Sequence, residues 1–206
     1  MTGPEARTVR SIELATMFCP TDQRPDPAAF HMPRPVPGLP GDLAASSYVA
    51  CAGTSIDPTT GDSDGGFGRN VSWRLADIKD GAFATLMLGE RSRALSDATW
   101  TGVAPDGLIP GVQHCTAPGR PVRSCGPVWG MVLGVTDLPG NPPGTTIGLN
   151  RAQADRAAFS SLHGDGVNFV LFDGSVRSFR DTINPKVFRS LATRDGGDNG
   201  DRFNDY

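Results

Sequence analysis

His163 and Asp173 are the first residues whose types invite chemistry. They stand in the stretch SSLHGDGVNFVLFDGSVRSF, residues 160–179, with nine residues between the histidine and an Asp-Gly pair. An imidazole oriented by a carboxylate is the usual acid–base dyad. Geometry argues against it here. The six residues 167–172 read as a strand, and at about 3.3 Å each they carry Asp173 about 20 Å beyond the strand's start. His163 precedes that start, so the two side chains are expected near opposite ends of a hairpin. Asp173 then reads as turn chemistry, and His163 as a residue that bonds or packs locally. No Gly-x-Ser-x-Gly elbow is present, and no Ser or Cys has an evident base. Gly130 and Gly134 bracket an apolar run and do not form a phosphate loop.

Other side chains offer weaker signals. Cys19, Cys51, Cys115 and Cys125 are even in number, without Cys-x-x-Cys spacing, and only three histidines accompany them. That pattern does not suggest a Cys/His zinc site. Cys115 and Cys125 flank a Pro/Gly-rich loop that a disulfide would staple in an oxidising compartment; four buried thiols is the competing reading. Asp195, Asp198 and Asp201, with Asn199, Asn204 and Asp205, place hard oxygen ligands on one tail, so they are calcium candidates. Their spacing is not that of an EF-hand, and a solvated acidic tail is the simpler reading. The loop 57–64 is a second, weaker candidate for calcium. Glu90 with Arg91 and Arg93 reads either as a surface ion network or as the end of a buried strand, with a structural role preferred.

The elements that must position these residues are mostly β. Asp173-Gly174 joins two β-prone runs, the strongest short hairpin signal. A two-residue loop sets Phe172 opposite Ser175, Leu171 opposite Val176 and Phe169 opposite Ser178. One face then carries Val167, Phe169, Leu171 and Val176, and the other Asn168, Val170, Phe172, Arg177 and Phe179. Both faces are largely apolar, so the hairpin is expected inside a sheet covered on both sides. Further strands are expected at 47–52, at 71–75 with Trp73 facing the core, at 82–91 with Phe83, Leu86 and Leu88 as core candidates, and at 128–135. Helix is a live alternative at 82–88. Trp100 and Ile109 are candidate anchors in an irregular 92–127. Residues 23–45, 53–68 and 137–151 read as loops. The one clean helix begins at the N-cap Asn184, with Pro185 at its first position, and ends near Thr193.

With 206 residues, 26 of them Gly and 18 Pro, the chain suits one loop-rich domain, residues 1–206. Residues 1–18 form the remnant of an N-terminal element and 195–206 a loose acidic tail. A net charge of −3 without charge runs argues against nucleic-acid partners. No apolar run of about 18 residues is present, so this chain encodes no membrane insertion, and no secretion signal is recognisable.

Several landmarks occur in a fixed order. They are Cys19-Pro20-Thr21-Asp22, the Ser47-Tyr48…Gly53 strand, and Asp77-Ile-Lys-Asp80-Gly81 leading to Thr85-Leu-Met-Leu-Gly-Glu90-Arg-Ser92. His163 with Asp173-Gly174-Ser175-Val176 follows, then Thr193-Arg-Asp-Gly-Gly197. The chain resembles the bacterial pilin-like family of unknown function whose signature is the prepilin-type H-X9-DG domain (domain of unknown function 1559). The resemblance runs from about Ser11 to Gly197, and its motif residues here are His163, Asp173, Gly174, Ser175, Asp77, Asp80, Gly81 and Glu90.

The resemblance implies an α+β pilin-like head: an antiparallel sheet, few helices and long Gly/Pro-rich loops. It implies a non-enzymatic subunit of a type IV pilus or type II secretion apparatus at the cell surface. Partners would be other pilin-like subunits or further copies, provided the family's long N-terminal helix exists. This chain departs from the pattern in lacking leader, cleavage box and helix, so it is expected to be either a piece of a longer subunit or a head-only relative; without the helix, a hydrophobic strip of the sheet is expected to be uncovered. With no export segment, a cytoplasmic location stays open. No cofactor is expected apart from the calcium candidate. An extracellular ligand-binding or adhesin-like module using the Gly-rich loops is the alternative. A metal-dependent hydrolase is a third reading, to be favoured by His and carboxylates converging on one point.

Overall fold

The computed structural model describes residues 9–22, 29–31, 42–57, 60–69, 71–92, 98–102, 131–137, 149–150, 157–164 and 166–197. The architecture is α+β and β-dominated. A three-stranded sheet joins β1 (Ala29–His31), β2 (Asp42–Ser46) and β5 (Ala98–Thr99) in the order β1-β2-β5. A five-stranded sheet runs β6-β3-β4-β7-β8, from β3 (Tyr48–Cys51), β4 (Leu86–Glu90), β6 (Leu133–Gly134), β7 (Val167–Leu171) and β8 (Val176–Phe179). Its pairings are antiparallel except β3 with β6. The expected all-antiparallel sheet thus carries one parallel pair. Among the described residues, no helix is long and apolar enough to cross a membrane.

The hairpin forms, but one residue out of the expected register. Val170 pairs with Val176, Phe169 with Arg177 and Val167 with Phe179. The loop has three residues, because Leu171 N–H donates to the Ser175 carbonyl and Gly174 N–H to the Leu171 carbonyl. Gly174 sits at φ +84°, the left-handed position that closes a turn-plus-bulge loop. Asp173 explains the choice: its carboxylate accepts from Ser175 N–H (2.8 Å) and Ser175 Oγ (2.6 Å), locking the turn. A slip of one residue flips side chains between faces. Val176, expected inside, is 66% exposed, and Phe179, expected on the other face, is buried at 4%. Val176, Arg177 and Ser178 of β8 are all exposed, so the hairpin is not covered on both sides.

The core gathers on one face of β7, where Val167, Phe169 and Leu171 are buried. Helix α1 (Pro185–Ala192) lays Phe188, Leu191 and Ala192 against them. Its cap is as the sequence indicates: Asn184 Oδ1 accepts from Lys186 N–H at 2.9 Å. Phe159, Phe169, Phe179 and Phe188 pack edge to face, with centroids 5.0–6.3 Å apart. Gly89 and Gly134 make room for the central ring, since a Cβ at either would lie 2.5 Å from Phe159.

Several expectations need correction. Residues 71–75 form no strand; Leu75–Asp77 is a 3-10 turn and Trp73 is 41% exposed, lying under the Arg194 guanidinium 3.8 Å from its ring centroid. Ala82–Ala84 is also a 3-10 turn, so strand begins at Leu86 and Phe83 points to solvent. Leu86 is buried, as expected, whereas Leu88 is only partly so. Within residues 23–45, read as loop, Ala29–His31 forms β1 and β2 begins at Asp42, because neighbouring strands complete their hydrogen bonds. Trp100 Nε1 donates to the Ile12 carbonyl at 3.2 Å, while Ile109 lies outside the described residues. Other exposed large apolar side chains are Val9, Ile12, Leu75 and Leu162.

Candidate functional site

The turn at Cys19-Pro20-Thr21-Asp22 opens the site. Asp22 N–H donates to the Cys19 carbonyl at 3.0 Å, closing the turn. The Asp22 carboxylate accepts from Ser47 Oγ (2.8 Å) and Ser92 Oγ (3.0 Å). These serines lie before β3 and after β4, so Asp22 clips the N-terminal segment across two neighbouring strands. Ser47 N–H adds a bond to the Met17 carbonyl at 2.7 Å. The clip brings Cys19, which is buried, over the end of β4.

Glu90 is the last residue of β4 and is buried. Asn168 of β7 fixes its carboxylate through the backbone N–H (2.8 Å, to Oε2) and the side-chain amide (3.2 Å, to Oε1). The surface ion network is therefore corrected. Arg91 is also fully buried, its guanidinium donating to the Ala158 carbonyl (2.9 Å) and the Leu133 carbonyl (3.1 Å). Arg93 lies outside the described residues.

His163 arrives from the loop before β7. Ser160 N–H and Ser92 N–H exchange bonds with the Glu90 and Ser160 carbonyls, and Asn150 Oδ1 accepts from Ser161 N–H at 2.7 Å. His163 N–H then bonds Ser161 Oγ. This places His163 Nε2 3.3 Å from Cys19 Sγ, 3.4 Å from Glu90 Oε1 and 3.4 Å from Thr21 Oγ1. The Cys19, Glu90 and His163 ligand atoms all lie within 4.8 Å of one another. His163 is thus engaged with residue 19, far away in sequence, rather than locally.

A thiol, a carboxylate and an imidazole at one point can exchange protons or share a transition metal. The sequence spacing gave no hint of such a Cys/His cluster, because its members come from three separate segments. Beside it lies an open cleft lined by Cys19, Asp22, Ser47, Glu90, Ser92 and Ser160. Tyr48 stands close by. Burial pushes its phenol upward, with Cys19, Glu90 and Asp22 adding to the shift.

Asp173, Gly174 and Ser175 sit in the hairpin turn and bond one another, so they take no part in this cluster. Hydrogen bonds from Ser175 hold the Asp173 carboxyl below the usual range. Asp77 Oδ2 accepts from Arg74 N–H and caps its 3-10 turn. Gly81 takes φ +95° to leave the turn that follows.

Asp80 is buried and works at longer range. Its carboxylate accepts from Thr193 Oγ1 (3.0 Å), Gly196 N–H (2.6 Å) and Gly197 N–H (3.0 Å). Arg194, between them, donates to the carbonyls of Ser63 (2.5 Å) and Gly65 (2.8 Å), and its own N–H bonds the Asp64 carbonyl. The motif Asp80-Gly81 and the motif Thr193–Gly197 thus form one brace that pins the glycine-rich loop to the sheet.

The calcium candidates fare differently. Asp195 pairs with Lys79 at 2.6 Å, and that contact raises the lysine above its ordinary value. Asp198 and Asp201 lie outside the described residues, as do Cys115 and Cys125. In the second loop, Asp57 accepts from Thr60 N–H, and Asp64 accepts from the N–H and hydroxyl of Thr54. Cys19 and Cys51 are free thiols.

No curated protein and no solved structure matches this chain. A family model does, over residues 2–186: the motifs that build the cluster and one partner of the Asp80 brace fall inside that match, and the chain belongs to the family described as protein of unknown function (DUF1559).

Proposed function

We propose that this domain is the head of a pilin-like or pseudopilin-like subunit, a structural component of a surface filament or secretion apparatus. The observation that carries this reading is how the motif residues are used. Asp22, Asp80 and Arg194 spend their polar groups on holding long segments against the sheet. Asp173 does the same for the hairpin turn. Such bracing suits a domain that presents loops on a rigid frame.

The test is to raise antibodies to this domain, shear the surface of source cells, and crosslink what is released. Enrichment in sheared or envelope material, crosslinked to further copies or to other filament subunits, is expected. Recovery only as a monomer in the soluble cell interior would overturn the reading.

A second reading, a metal-dependent hydrolase, is favoured by one observation, the meeting of His163, Glu90 and Cys19 beside an open cleft. Zinc-loaded protein that cleaves ester or peptide substrates, with activity lost in His163→Ala, would promote it over the filament role.

A further inference from the structure

We propose that Cys19, Glu90 and His163 form a zinc(II) site. The first argument is stoichiometric. A single imidazole nitrogen carries one hydrogen or one lone pair, so it can bond one neighbour well. His163 Nε2 faces three: Cys19 Sγ at 3.3 Å, Thr21 Oγ1 at 3.4 Å and Glu90 Oε1 at 3.4 Å. The two contacts to oxygen are long beside the roughly 2.9–3.0 Å usual for N–H···O bonds. A cation held between the groups accounts for the convergence better than a set of hydrogen bonds.

The second argument is metric. Zinc bonds of about 2.3 Å to sulfur and about 2.0–2.1 Å to nitrogen, at the tetrahedral angle, set S and N about 3.5 Å apart. The same geometry sets N and O about 3.4 Å apart. The structure has 3.3 and 3.4 Å for those two edges, and the third edge lies within 4.8 Å.

The donor set selects the metal. A thiolate disfavours calcium and magnesium, and a thiolate with an imidazole and a carboxylate suits zinc. An outer shell is already in place: Asn168 fixes the Glu90 carboxylate from two sides, as outer-shell partners do for ligands. The Thr21 hydroxyl stands beside the site, 3.1 Å from Sγ and 3.4 Å from Nε2. Zinc would tie together three segments distant in sequence, so the site stands whether or not the head builds a filament.

The test starts from chelator-treated protein. Zn²⁺ is added, excess is removed by desalting, and bound metal is counted by mass spectrometry. Co²⁺ is then substituted and its absorption recorded. One equivalent per chain is expected, with a thiolate-to-cobalt charge-transfer band and a raised melting temperature. Cys19→Ser should abolish the band, and Cys19→Ser and His163→Ala should each weaken binding at least tenfold. Cys115→Ser with Cys125→Ser should leave binding intact. Failure to retain metal, cobalt binding without a thiolate band in the native chain, or retention undiminished in both ligand variants would overturn the proposal. The cobalt spectrum of the unmutated chain decides the matter even if a variant does not fold.

Discussion

Replacing Asp80 by Ala should strip the brace between the two halves of the family motif. The carboxylate takes three hydrogen bonds, from Thr193 Oγ1, Gly196 N–H and Gly197 N–H. A bond to a charged acceptor contributes about 1.5–3 kcal/mol, so the gross loss is about 4.5–9 kcal/mol. Two effects reduce it. Gly196 and Gly197 are exposed, so their N–H groups regain water, and Thr193 Oγ1 keeps the Ser190 carbonyl at 3.1 Å. Removing a buried carboxylate also returns part of its desolvation cost. The net destabilisation should be about 2–4 kcal/mol. For a chain of this size that is on the order of 10 °C in melting temperature.

Urea unfolding measures it: the midpoint should fall with the slope unchanged. Asp80→Asn keeps the shape and one acceptor, and should lose about half as much. Asp77→Ala, which removes only the exposed cap on Arg74 N–H, should cost no more than about 1 kcal/mol. Hydrogen exchange should show faster opening at 63–65, because the Arg194 that pins that loop is no longer held. A loss below about 0.5 kcal/mol for Asp80→Ala, or one equal to that of Asp77→Ala, would refute the brace.

Other tests are more compact. Burial pushes the Cys51 thiol up to about 12, against about 8.5 in an unfolded chain. A raised folded value favours the protonated form, so its contribution is complete below about pH 8.5 and declines as pH climbs towards 12. Urea midpoints at pH 7.5 and 10 should therefore differ less in Cys51→Ala than in the native chain; an unchanged difference would contradict this. Gly174→Val should cost about 1–2 kcal/mol from backbone strain alone, since nothing lies within 4 Å of the added Cβ. Calorimetry of metal-free protein should show His163→Ala costing less than that, and the opposite order would count against the turn's role.

The sequence alone determined the parts held by local chemistry. Asn184-Pro185 fixed the helix start, because cap and first-turn geometry depend on neighbours in the chain. Asp173-Gly174 fixed the position of a hairpin, the composition pointed to a loop-rich domain, and the family resemblance implied an α+β head. The hairpin's register was not legible, because a two- and a three-residue loop both accept Asp-Gly. The bond from Ser175 to Asp173 and the burial of Phe179 chose between them. Trp73 and Phe83 looked like core residues from their apolar character, but the 3-10 turns at Leu75–Asp77 and Ala82–Ala84 broke the alternation that would have buried them. The candidate site was the least legible part. Cys19 and His163 are 144 residues apart, and no local pattern relates them. Tertiary structure decided their meeting: Asp22 clips one segment to Ser47 and Ser92, β4 ends at Glu90, and the loop before β7 returns His163 to the same point. A contact between distant segments follows from how strands pair and loops are braced, and one chain's spacing does not record that.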